Sequence, residues 1–336
     1  MARKKRKTSF EALLLLLLTA ILITLIALLL NQMGYLTELK LPDLPILEHL
    51  GISVDKADDQ QPSAYTEGEV KVCFIDVGQG DSTLIVAPEA TVLIDGGTPA
   101  NGSVVYSLLK EQGIKRLDYV INTHPHSDHV GGLAQVVKSL GKGNVKQVLI
   151  TEYPDELEPN IQSWPDFLKR AELCGAQISA VQLDEVYDLG EGVTLTILGP
   201  AKSYSDMNNN SIICRLDYGD ASFLFTGDSD ADALRDINNL GSQLKADLLK
   251  LGHHGSSSST DSVVLRMTDP KAAVVSCGID NDYGHPHREV TTLLEEKDIP
   301  CLRTDLQGSI WAVTDGSSIT VTAQRGQKEP LLISAK

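Results

Sequence analysis

The amino-acid sequence predicts an α+β protein: an αββα sandwich, in which two sheets pack face to face with helices outside, preceded by one transmembrane helix. Short apolar runs of strand length recur from residue 70 onward, and helical patterns separate the later runs. The N-terminal part holds one long apolar run. Because the early strands follow one another through tight turns and the later ones through helices, two packed sheets fit better than one parallel sheet.

The predicted strands are short apolar segments, most of them bounded by turn residues. They cover 70–77, 83–87, 91–95, 117–122, 147–151, 193–198, 211–217, 221–226, 246–251, 272–277 and 309–314. The predicted helices carry their apolar residues on one face; in 103–112, Val104 and Leu108 recur with helical spacing. The other helices cover 130–140, 163–174, 229–240, 260–268 and 287–297.

A membrane anchor is predicted at the N-terminus. From Ala12 to Leu30 the chain is almost entirely Leu, Ile and Ala, and a basic cluster precedes this run. A helix of about 19 residues spans roughly 30 Å, the thickness of the hydrocarbon core. The basic flank should stay in the cytoplasm, which places everything after residue 31 on the outer side of the membrane. A cleaved signal peptide, and hence a secreted protein, is the alternative, but no small-x-small cleavage pattern follows the run.

Composition then divides the chain into segments. The part that follows the apolar run is polar and contains Pro42, Pro45 and Pro62, which is typical of a linker. The segments are a basic cytoplasmic flank at 1–10, a transmembrane signal-anchor at 11–31, a linker at 32–67, one globular domain at 68–325 and a tail at 326–336.

The chain is acidic, with a formal net charge of −16. This balance argues against a broad basic surface that binds nucleic acid without sequence preference. It leaves a nuclease open, because a metal site supplies local positive charge and Lys250 or Arg288 could add to it.

The five cysteines stand singly, and no zinc-binding spacing of cysteines occurs. Cys73, Cys214 and Cys277 lie inside apolar strand-like runs. We therefore interpret the cysteines as small buried hydrophobic residues, and their odd number argues against a disulfide framework.

The densest chemical signal is the stretch 122–132, which reads Asn-Thr-His-Pro-His-Ser-Asp-His-Val-Gly-Gly. Its donors are His124, His126, Asp128 and His129. Imidazole and carboxylate are usual ligands of Zn²⁺ and its neighbours. An apolar strand precedes the cluster and a helical pattern follows it, so a rigid scaffold can aim several side chains at one point. A solvated polar loop is the alternative, and this spacing makes it the poorer one.

Other candidate ligands also follow predicted strands. Asp228 comes just beyond the strand 221–226, where a carboxylate can bridge two cations, although a turn aspartate is the commoner role for Gly-Asp. In the pair His253–His254, one ring could bind a metal while the other orients it or contacts a substrate.

Two more sets of polar residues lie in loops. His285 and His287 follow the strand 272–277, and the Gly and Pro of that loop fix both rings. Asp81 and Asp95 stand in Gly-rich turns that match no phosphate-binding loop. A carboxylate that fixes a histidine ligand is the better role for either aspartate.

Together these motifs resemble the metallo-β-lactamase superfamily. The stretch His124-Pro125-His126-Ser127-Asp128-His129 matches the HxHxDH signature of that superfamily in full. Residues 93–97 resemble its first motif, 225–228 its bridging aspartate and 252–256 its last histidine motif. The order and spacing agree across the predicted globular domain, so the resemblance implies the same sandwich fold.

Within that superfamily, the chain looks like the C-terminal hydrolase domain of ComEC-type DNA-uptake proteins. The phrases at 74–82, 208–211, 253–256 and 283–287 carry this resemblance. It implies a phosphodiesterase or nuclease, with DNA as a candidate substrate. Only one membrane span is predicted here, so a role as the uptake channel is not expected.

The resemblance implies two cations. The first two histidines of the HxHxDH signature would bind the first cation, its aspartate and last histidine the second, and Asp228 would bridge them. His253 is favoured over His254 as the remaining ligand of the second cation.

One departure from the superfamily concerns the first cation. The superfamily supplies a third histidine from a segment that here reads Asp-Met-Asn-Asn-Asn-Ser, at 206–211. Asn208, Asn209 or a water would have to replace it, or His285 or His287 would swing in. Fewer imidazoles and more oxygen ligands shift the preference from Zn²⁺ toward Mn²⁺ or Mg²⁺. One or two divalent ions are thus expected, Zn²⁺ or Mn²⁺ first, with Mg²⁺ as a further candidate.

The expected function is that of a metal-dependent hydrolase, a phosphodiesterase or nuclease that acts outside the cytoplasmic membrane through a metal-activated hydroxide. Asp128 would belong to the catalytic centre, and His285 or His287 would bind the phosphate or protonate the leaving oxygen. The expected partners are a phosphodiester substrate, with DNA among the candidates, and the membrane through the N-terminal helix; no obligate protein partner is evident. Two alternatives stay open: an esterase or lactonase that uses the same hydroxide, and a non-catalytic surface binding module on a hydrolase scaffold.

Overall fold

The computed structural model describes residues 66–153, 157, 159–241 and 244–335. The predicted flank, the predicted membrane span at 11–31 and nearly all of the predicted linker lie outside these residues. Within the part of the chain that the structure describes, no helix has the length and apolar character needed to cross a membrane.

The described residues form strands and helices. Within each sheet, the parallel strands are separated by helices along the chain. The strands are β1 (Val70–Phe74), β2 (Thr83–Val86), β3 (Thr91–Ile94), β4 (Leu117–Ile121), β5 (Val145–Ile150), β6 (Gln177–Ala180), β7 (Val186–Asp188), β8 (Thr194–Gly199), β9 (Ile213–Tyr218), β10 (Ala221–Phe225), β11 (Leu248–Lys250), β12 (Ala272–Val275), β13 (Cys301–Arg303), β14 (Ile310–Thr314), β15 (Ser318–Ala323) and β16 (Leu331–Ser334). The helices are α1 (Gly102–Glu111), α2 (Ser127–Val130), α3 (Leu133–Leu140), α4 (Ser163–Cys174), α5 (Ala231–Asn239), α6 (Ser262–Thr268), α7 (Arg288–Glu296) and α8 (Thr304–Gln307), with 3₁₀ turns at Asn208–Asn210 and His253–Gly255.

Two sheets carry these strands. The nine-stranded sheet has the order β16-β15-β14-β1-β2-β3-β4-β5-β6, and the seven-stranded sheet has the order β13-β12-β11-β10-β9-β8-β7. In each sheet one part is antiparallel, and the other part, from β3 to β6 or from β10 to β13, is parallel. Parallel neighbours need crossover connections. The helices α1 to α4 provide them for the first sheet, and α5 to α7 provide them for the second.

Successive side chains along a strand point to opposite faces of its sheet, so the buried apolar side chains form three layers. Phe223 and Phe225 of β10 point between the two sheets, where they join Phe74 of β1. Leu224, between them, points to the opposite face, where α5 to α7 cover the seven-stranded sheet. A third layer lies between the nine-stranded sheet and the helices α1, α3 and α4. The predicted αββα sandwich of two sheets with helices outside is therefore the observed fold.

The structure also adds strands that the sequence pattern did not indicate. They are β6, β7, β13, β15 and β16. Both β6 and β7 are edge strands whose side chains are largely solvent-accessible, so they lack the apolar runs that mark the inner strands. The last strand, β16, falls in the segment assigned to a tail after residue 325; it pairs with β15 and buries Ile333. The ordered sheet thus extends beyond the predicted domain boundary.

The cysteines behave as small hydrophobic residues. All five are free; Cys73, Cys174, Cys214 and Cys277 are buried, and Cys301 is partly buried. Burial raises the pKa of the Cys277 thiol to about 12, which keeps it protonated.

Close backbone contacts hold together the loops that follow β3 and β4. Gly96 donates its N–H to the carbonyl of His129 (2.8 Å), and Gly132 donates to the carbonyl of Gly97 (2.9 Å). A Cβ atom on Gly132 would lie 2.0 Å from the carbonyl oxygen of Gly96. The glycines after the HxHxDH stretch are therefore required because a side chain would clash there. Without a side chain, the segment after α2 packs directly on the loop that carries Asp95.

We expect Gly132→Ala to lower the free energy of unfolding by about 3 kcal/mol, because the added methyl group must displace backbone rather than a flexible side chain. Gly143→Ala is the matched control: its Cβ would meet no atom within 4 Å, and its φ of +79° predicts a cost of only about 1 kcal/mol. Urea unfolding followed by circular dichroism measures both. Equal losses in the two variants would contradict the packing argument.

Candidate metal centre

His124 lies in the loop that leaves the carboxyl end of β4, and it is fully buried. Thr123 Oγ1 donates to Asp95 Oδ2 (2.6 Å), so it is free to accept from His124 Nδ1 at 3.2 Å. The other ring nitrogen, Nε2, has no hydrogen-bond partner and lies 3.8 Å from Asp228 Oδ2. The half-buried ring of His126 packs edge-on against His124, with 4.6 Å between the ring centroids.

His129 is oriented by a buried carboxylate. Asp95 Oδ2 accepts a hydrogen bond from His129 Nδ1 at 2.8 Å, and Asp95 Oδ1 accepts from the Thr123 N–H and from Asn122 Nδ2. Because the carboxylate can only accept, the proton sits on Nδ1 and the lone pair on Nε2. That Nε2 points at Asp228 Oδ1, 3.3 Å away.

Asp228 occupies the centre of the cluster. It follows β10 after Gly227, whose φ of +50° and whose close contact with the Ser211 side chain leave no room for a Cβ. Ser211 Oγ accepts the Asp228 backbone N–H at 3.1 Å. The carboxylate is 2% exposed, and its Oδ1 has no hydrogen-bond donor.

The pair His253–His254 follows β11, the strand that pairs with β10 in the seven-stranded sheet, and it approaches Asp228 from this neighbouring loop. His254 Nδ1 donates to the carbonyl of Ser276 at 3.0 Å, so its Nε2 is free; this Nε2 lies 3.2 Å from Asp128 Oδ2 and 3.6 Å from Asp228 Oδ2. His253 is partly exposed, and its Nε2 lies 3.8 Å from Asp228 Oδ2. The contact with Asp128 associates His254, rather than the favoured His253, with the second group of ligands.

The protonation equilibria of these groups are strongly coupled. Burial lowers the pKa of His124 well below its ordinary value, and the neighbouring His129 lowers it further. Burial would also lower the pKa of His129, but Asp228 and Asp95 outweigh it and raise that pKa. Burial would raise the pKa of Asp228, yet His129 and His254 hold it well below its usual range. The carboxylate therefore stays charged in the interior and needs positive charge beside it.

This donor set fits a divalent cation. One ligand atom each from Asp81, His129, Asp228 and His254 lies within 4.8 Å of the others. The Nε2 atoms of His124, His129 and His254 and Asp228 Oδ1 are all buried without hydrogen-bond partners. Acceptor atoms that face one another in a buried site repel unless a proton or a cation lies between them. Imidazole nitrogens and carboxylate oxygens at this spacing are the ligands of Zn²⁺ and Mn²⁺ sites.

Asp81 takes its place in the cluster through an ion pair. Its Oδ2 accepts from Lys250 Nζ at 2.8 Å, and both side chains are buried. Its Oδ1 has no hydrogen-bond partner and lies 3.8 Å from His254 Nδ1. The suggestion that Lys250 offers a cation to substrate is therefore wrong, because strand β11 is covered on both faces and the ammonium group is used inside the protein.

An open cleft of about 360 Å³ leads to the cluster. Its lining residues are Gln79, His126, Ser127, Asp128, Ile161, Asn208, Asp228, His253, His254, Tyr283 and His285. No Lys or Arg stands among these described lining residues. Gln79 Oε1 accepts the Gly278 N–H at 3.1 Å, which turns its buried, unpartnered Nε2 toward the cleft.

Of the two later histidines, the structure brings only His285 to the cleft. Its ring lies 5.5 Å from that of His253, and burial, with the charges of His254 and His253, lowers its pKa to about 4. His287 accepts the Ser257 N–H at Nδ1 and contacts the Tyr283 carbonyl through Nε2 (3.3 Å), so both ring nitrogens are used locally.

Asn209 also lies away from the ligand atoms. Its N–H and side-chain NH₂ donate to Asp206, and its Oδ1 accepts the backbone N–H of Asp230 at 2.8 Å. Sequence reasoning did not single out Asp230, Thr123, Ser276 or Gln79. Thr123 and Asp230 stand within two residues of predicted ligands, which is the signal that could have identified them. Ser276 acts through its carbonyl, so its side-chain type carries no signal.

Comparison with known proteins identifies the family to which the chain belongs. The Metallo-beta-lactamase superfamily matches residues 75–279. ComE operon protein 3 of Bacillus subtilis is 33% identical over 270 residues, which cover 74% of this chain and 33% of that protein. Competence protein ComA of Neisseria gonorrhoeae is 32% identical over 253 residues, again 74% of this chain and 33% of that protein. The chain thus spans about a third of the length of these curated relatives.

Among solved structures, the metallo-beta-lactamase fold protein YhfI of Bacillus subtilis is similar, with a TM-score of 0.47 and 17% identity over 70% of this chain and 95% of that one. The family match covers strands β2 to β12, which belong to both sheets, and every residue of the buried cluster. This chain belongs to the metallo-β-lactamase superfamily, and its matched residues include a buried cluster of histidines and aspartates that could hold a metal ion.

Proposed function

We propose that the chain is a phosphodiesterase that cleaves single-stranded nucleic acid. The observation that carries this proposal is the position of Asp228, whose two oxygens face imidazole nitrogens on both sides. A carboxylate so placed can join two cations, and paired cations are typical of enzymes that hydrolyse phosphate esters. Two relatives, Competence protein ComA of Neisseria gonorrhoeae and a further one in Haemophilus influenzae named Recombination protein 2, support DNA as the substrate class.

The chain's own residues would hold the cations in two groups. His124 and His126 would bind the first, while Asp128, His129 and His254 would bind the second. Asp228 would contact both. When bound, such ions lower the pKa of water to near neutrality and stabilise negative charge on phosphoryl oxygens. The hydrogen bonds at the far side of the His124, His129 and His254 rings, such as the one that His129 Nδ1 donates to Asp95, fix which nitrogen is available for binding.

The opposite wall of the cleft would bind the phosphate. With its lowered pKa, His285 is neutral at pH 7 and offers an N–H as a hydrogen-bond donor rather than a transferable proton. This favours phosphate binding over protonation of the leaving oxygen. Gln79 Nε2, already turned to the cleft, supplies a second donor.

The surroundings of the cleft favour a single strand over a duplex. Among the described residues no Lys or Arg lines the cleft, so contacts with the phosphate backbone do not distinguish a single strand from a duplex here. Tyr283 is 67% exposed at the rim and stacks on His285 at 5.6 Å. An exposed aromatic ring beside a phosphate site can stack on a nucleobase, which requires the base to be unpaired.

We further propose that this hydrolase acts at the outer side of the cytoplasmic membrane. The proposal rests on the basic flank and the apolar run of the sequence at 1–31, both outside the described residues.

The full 336-residue chain, stripped with chelator and reloaded with Mn²⁺, Zn²⁺ or Mg²⁺, should hydrolyse bis-p-nitrophenyl phosphate and single-stranded DNA. Asp228→Asn should reduce the rate by at least about 100-fold, because even residues outside the ligand set change metal affinity by 10–100-fold. Asp232→Asn, an exposed carboxylate of the same type on α5, is the matched control and should retain the wild-type rate.

A lactone and a carboxylic ester are offered in the same assay. Hydrolysis of these compounds with no cleavage of either phosphodiester would replace the proposal with the esterase or lactonase alternative. Absence of hydrolysis from a fully metal-loaded chain would favour the binding module.

We expect His285→Ala to raise the KM for bis-p-nitrophenyl phosphate about tenfold, since one good hydrogen bond to a charged group contributes about 1.5 kcal/mol. His287→Ala serves as the comparison and should change KM less, because its ring nitrogens bond to Ser257 and Tyr283 instead of facing the cleft. Steady-state kinetics on both variants measure this. A larger effect from His287→Ala would reverse the assignment.

A further inference from the structure

The first cation of the proposed centre has only two histidine ligands from the HxHxDH stretch, because the segment 206–211 contains no histidine. We propose that His253 supplies the missing ligand, oriented by Asp230, so that the two adjacent histidines of the pair bind different cations. The inference rests on the metal centre of the proposed function and assigns one particular side chain to each half of it.

A contact with Asp128 separates the two histidines of the pair. Ligand bonds of roughly 2.0–2.2 Å separate two donors on one cation by about 3–4 Å. The Nε2 atoms of His253, His124 and His254 all lie at such a distance from Asp228 Oδ2, at 3.8, 3.8 and 3.6 Å. His254 Nε2 also lies 3.2 Å from Asp128 Oδ2, which assigns His254 to the second group and leaves His253 for the first cation.

The backbone explains how adjacent residues reach different cations. Both histidines have left-handed backbone conformations, with φ of 49° at His253 and 54° at His254. Residues with side chains rarely adopt this conformation, and two in succession are kept only where surrounding contacts require them. Here the two rings end 6.1 Å apart and inclined at 67°, with Asp228 within 4 Å of both.

A carboxylate faces the far side of the His253 ring. His253 Nδ1 is buried without a hydrogen-bond partner and lies 4.0 Å from Asp230 Oδ1. At His129 the corresponding nitrogen donates to Asp95 at 2.8 Å, whereas the distance at His253 is too long for a hydrogen bond and would have to shorten when a cation binds. Asn209 Oδ1 in turn accepts the Asp230 N–H at 2.8 Å. Asn209, in the segment 206–211 that lacks a histidine, therefore helps to position Asp230, the carboxylate that faces the proposed replacement ligand His253.

The full metal-free chain is titrated with Mn²⁺ by isothermal calorimetry, and the ions retained after dialysis are counted by mass spectrometry; neither measurement requires hydrolysis. We expect two ions per wild-type chain and one per chain in His253→Ala. His253→Ala combined with His124→Ala should still retain one ion, because both changes affect the same site. His253→Ala combined with His129→Ala should retain none.

Three results would overturn the assignment. One is a His253→Ala chain that holds two ions with wild-type affinity. Another is retention of one ion when His253→Ala is combined with His129→Ala. The last is a wild-type chain that holds only one ion. Asn208→Ala tests the rival ligand, since Asn208 Oδ1 is also buried and unpartnered beside the cleft; loss of an ion there, with none lost in His253→Ala, transfers the role to Asn208.

Asp230→Asn tests the positioning role without removing a ligand. We expect roughly 10–100-fold weaker binding of one ion and unchanged binding of the other, the usual effect of losing a carboxylate that orients a ligand histidine. Asp232→Asn, in the first turn of the helix α5 that Asp230 precedes, is the control and should bind both ions as the wild type does. If Asp230→Asn binds both ions normally while its melting temperature falls, Asp230 has only a structural role and that part of the proposal fails. Failure of hydrolysis with two ions bound would instead refute the proposed function and leave this assignment in place.

Discussion

The buried charge of Asp228 is the constraint on which the rest of the centre depends. A carboxylate at 2% exposure with no donor on one oxygen would cost on the order of several kcal/mol without a positive partner. Three buried histidines surround it, each with the far nitrogen held by Thr123, Asp95 or a backbone carbonyl. These outer bonds leave every inner nitrogen as an acceptor. The arrangement is thus complete only when a cation, or a proton in its place, lies among acceptors.

The two sheets bring these side chains together because the carboxyl ends of neighbouring parallel strands lie at the same edge of a sheet. Apart from Asp81, which lies between the antiparallel strands β1 and β2, the ligands and their supports follow β3, β4, β10, β11 and β12, all at the carboxyl ends of parallel strands. Crossover helices return the chain each time, so successive loops leave the same edge of each sheet. The glycines at 96 and 132 then allow two of these loops to touch backbone to backbone. The positions of these loops in the fold, rather than any single sequence motif, therefore determine which side chains meet in the centre.

Much of this could be predicted from the sequence, and the exceptions have physical reasons. The inner strands are buried on both faces, so their apolar runs were visible, whereas the edge strands β6 and β7 lack such runs. The HxHxDH ligands are close in sequence, and their spacing alone indicates a metal. The direction of the His253 and His254 rings depends on two left-handed backbone conformations, which residue type does not reveal. Lys250 looked available because its burial depends on Asp81, which lies 169 positions away in sequence.

The proposed centre would draw its ligands from both sheets, because His124 and His129 follow a strand of the nine-stranded sheet, while Asp228 and His254 follow strands of the seven-stranded one. A bound ion would therefore cross-link the two sheets of the sandwich, and its removal would break that link. A ligand that binds only the folded state stabilises it by an amount that grows with the logarithm of its free concentration. The fraction of chains that stay folded should then follow the free metal concentration of the surroundings. The stability of the fold would then depend on the metal supply, in addition to any effect of metal on catalysis.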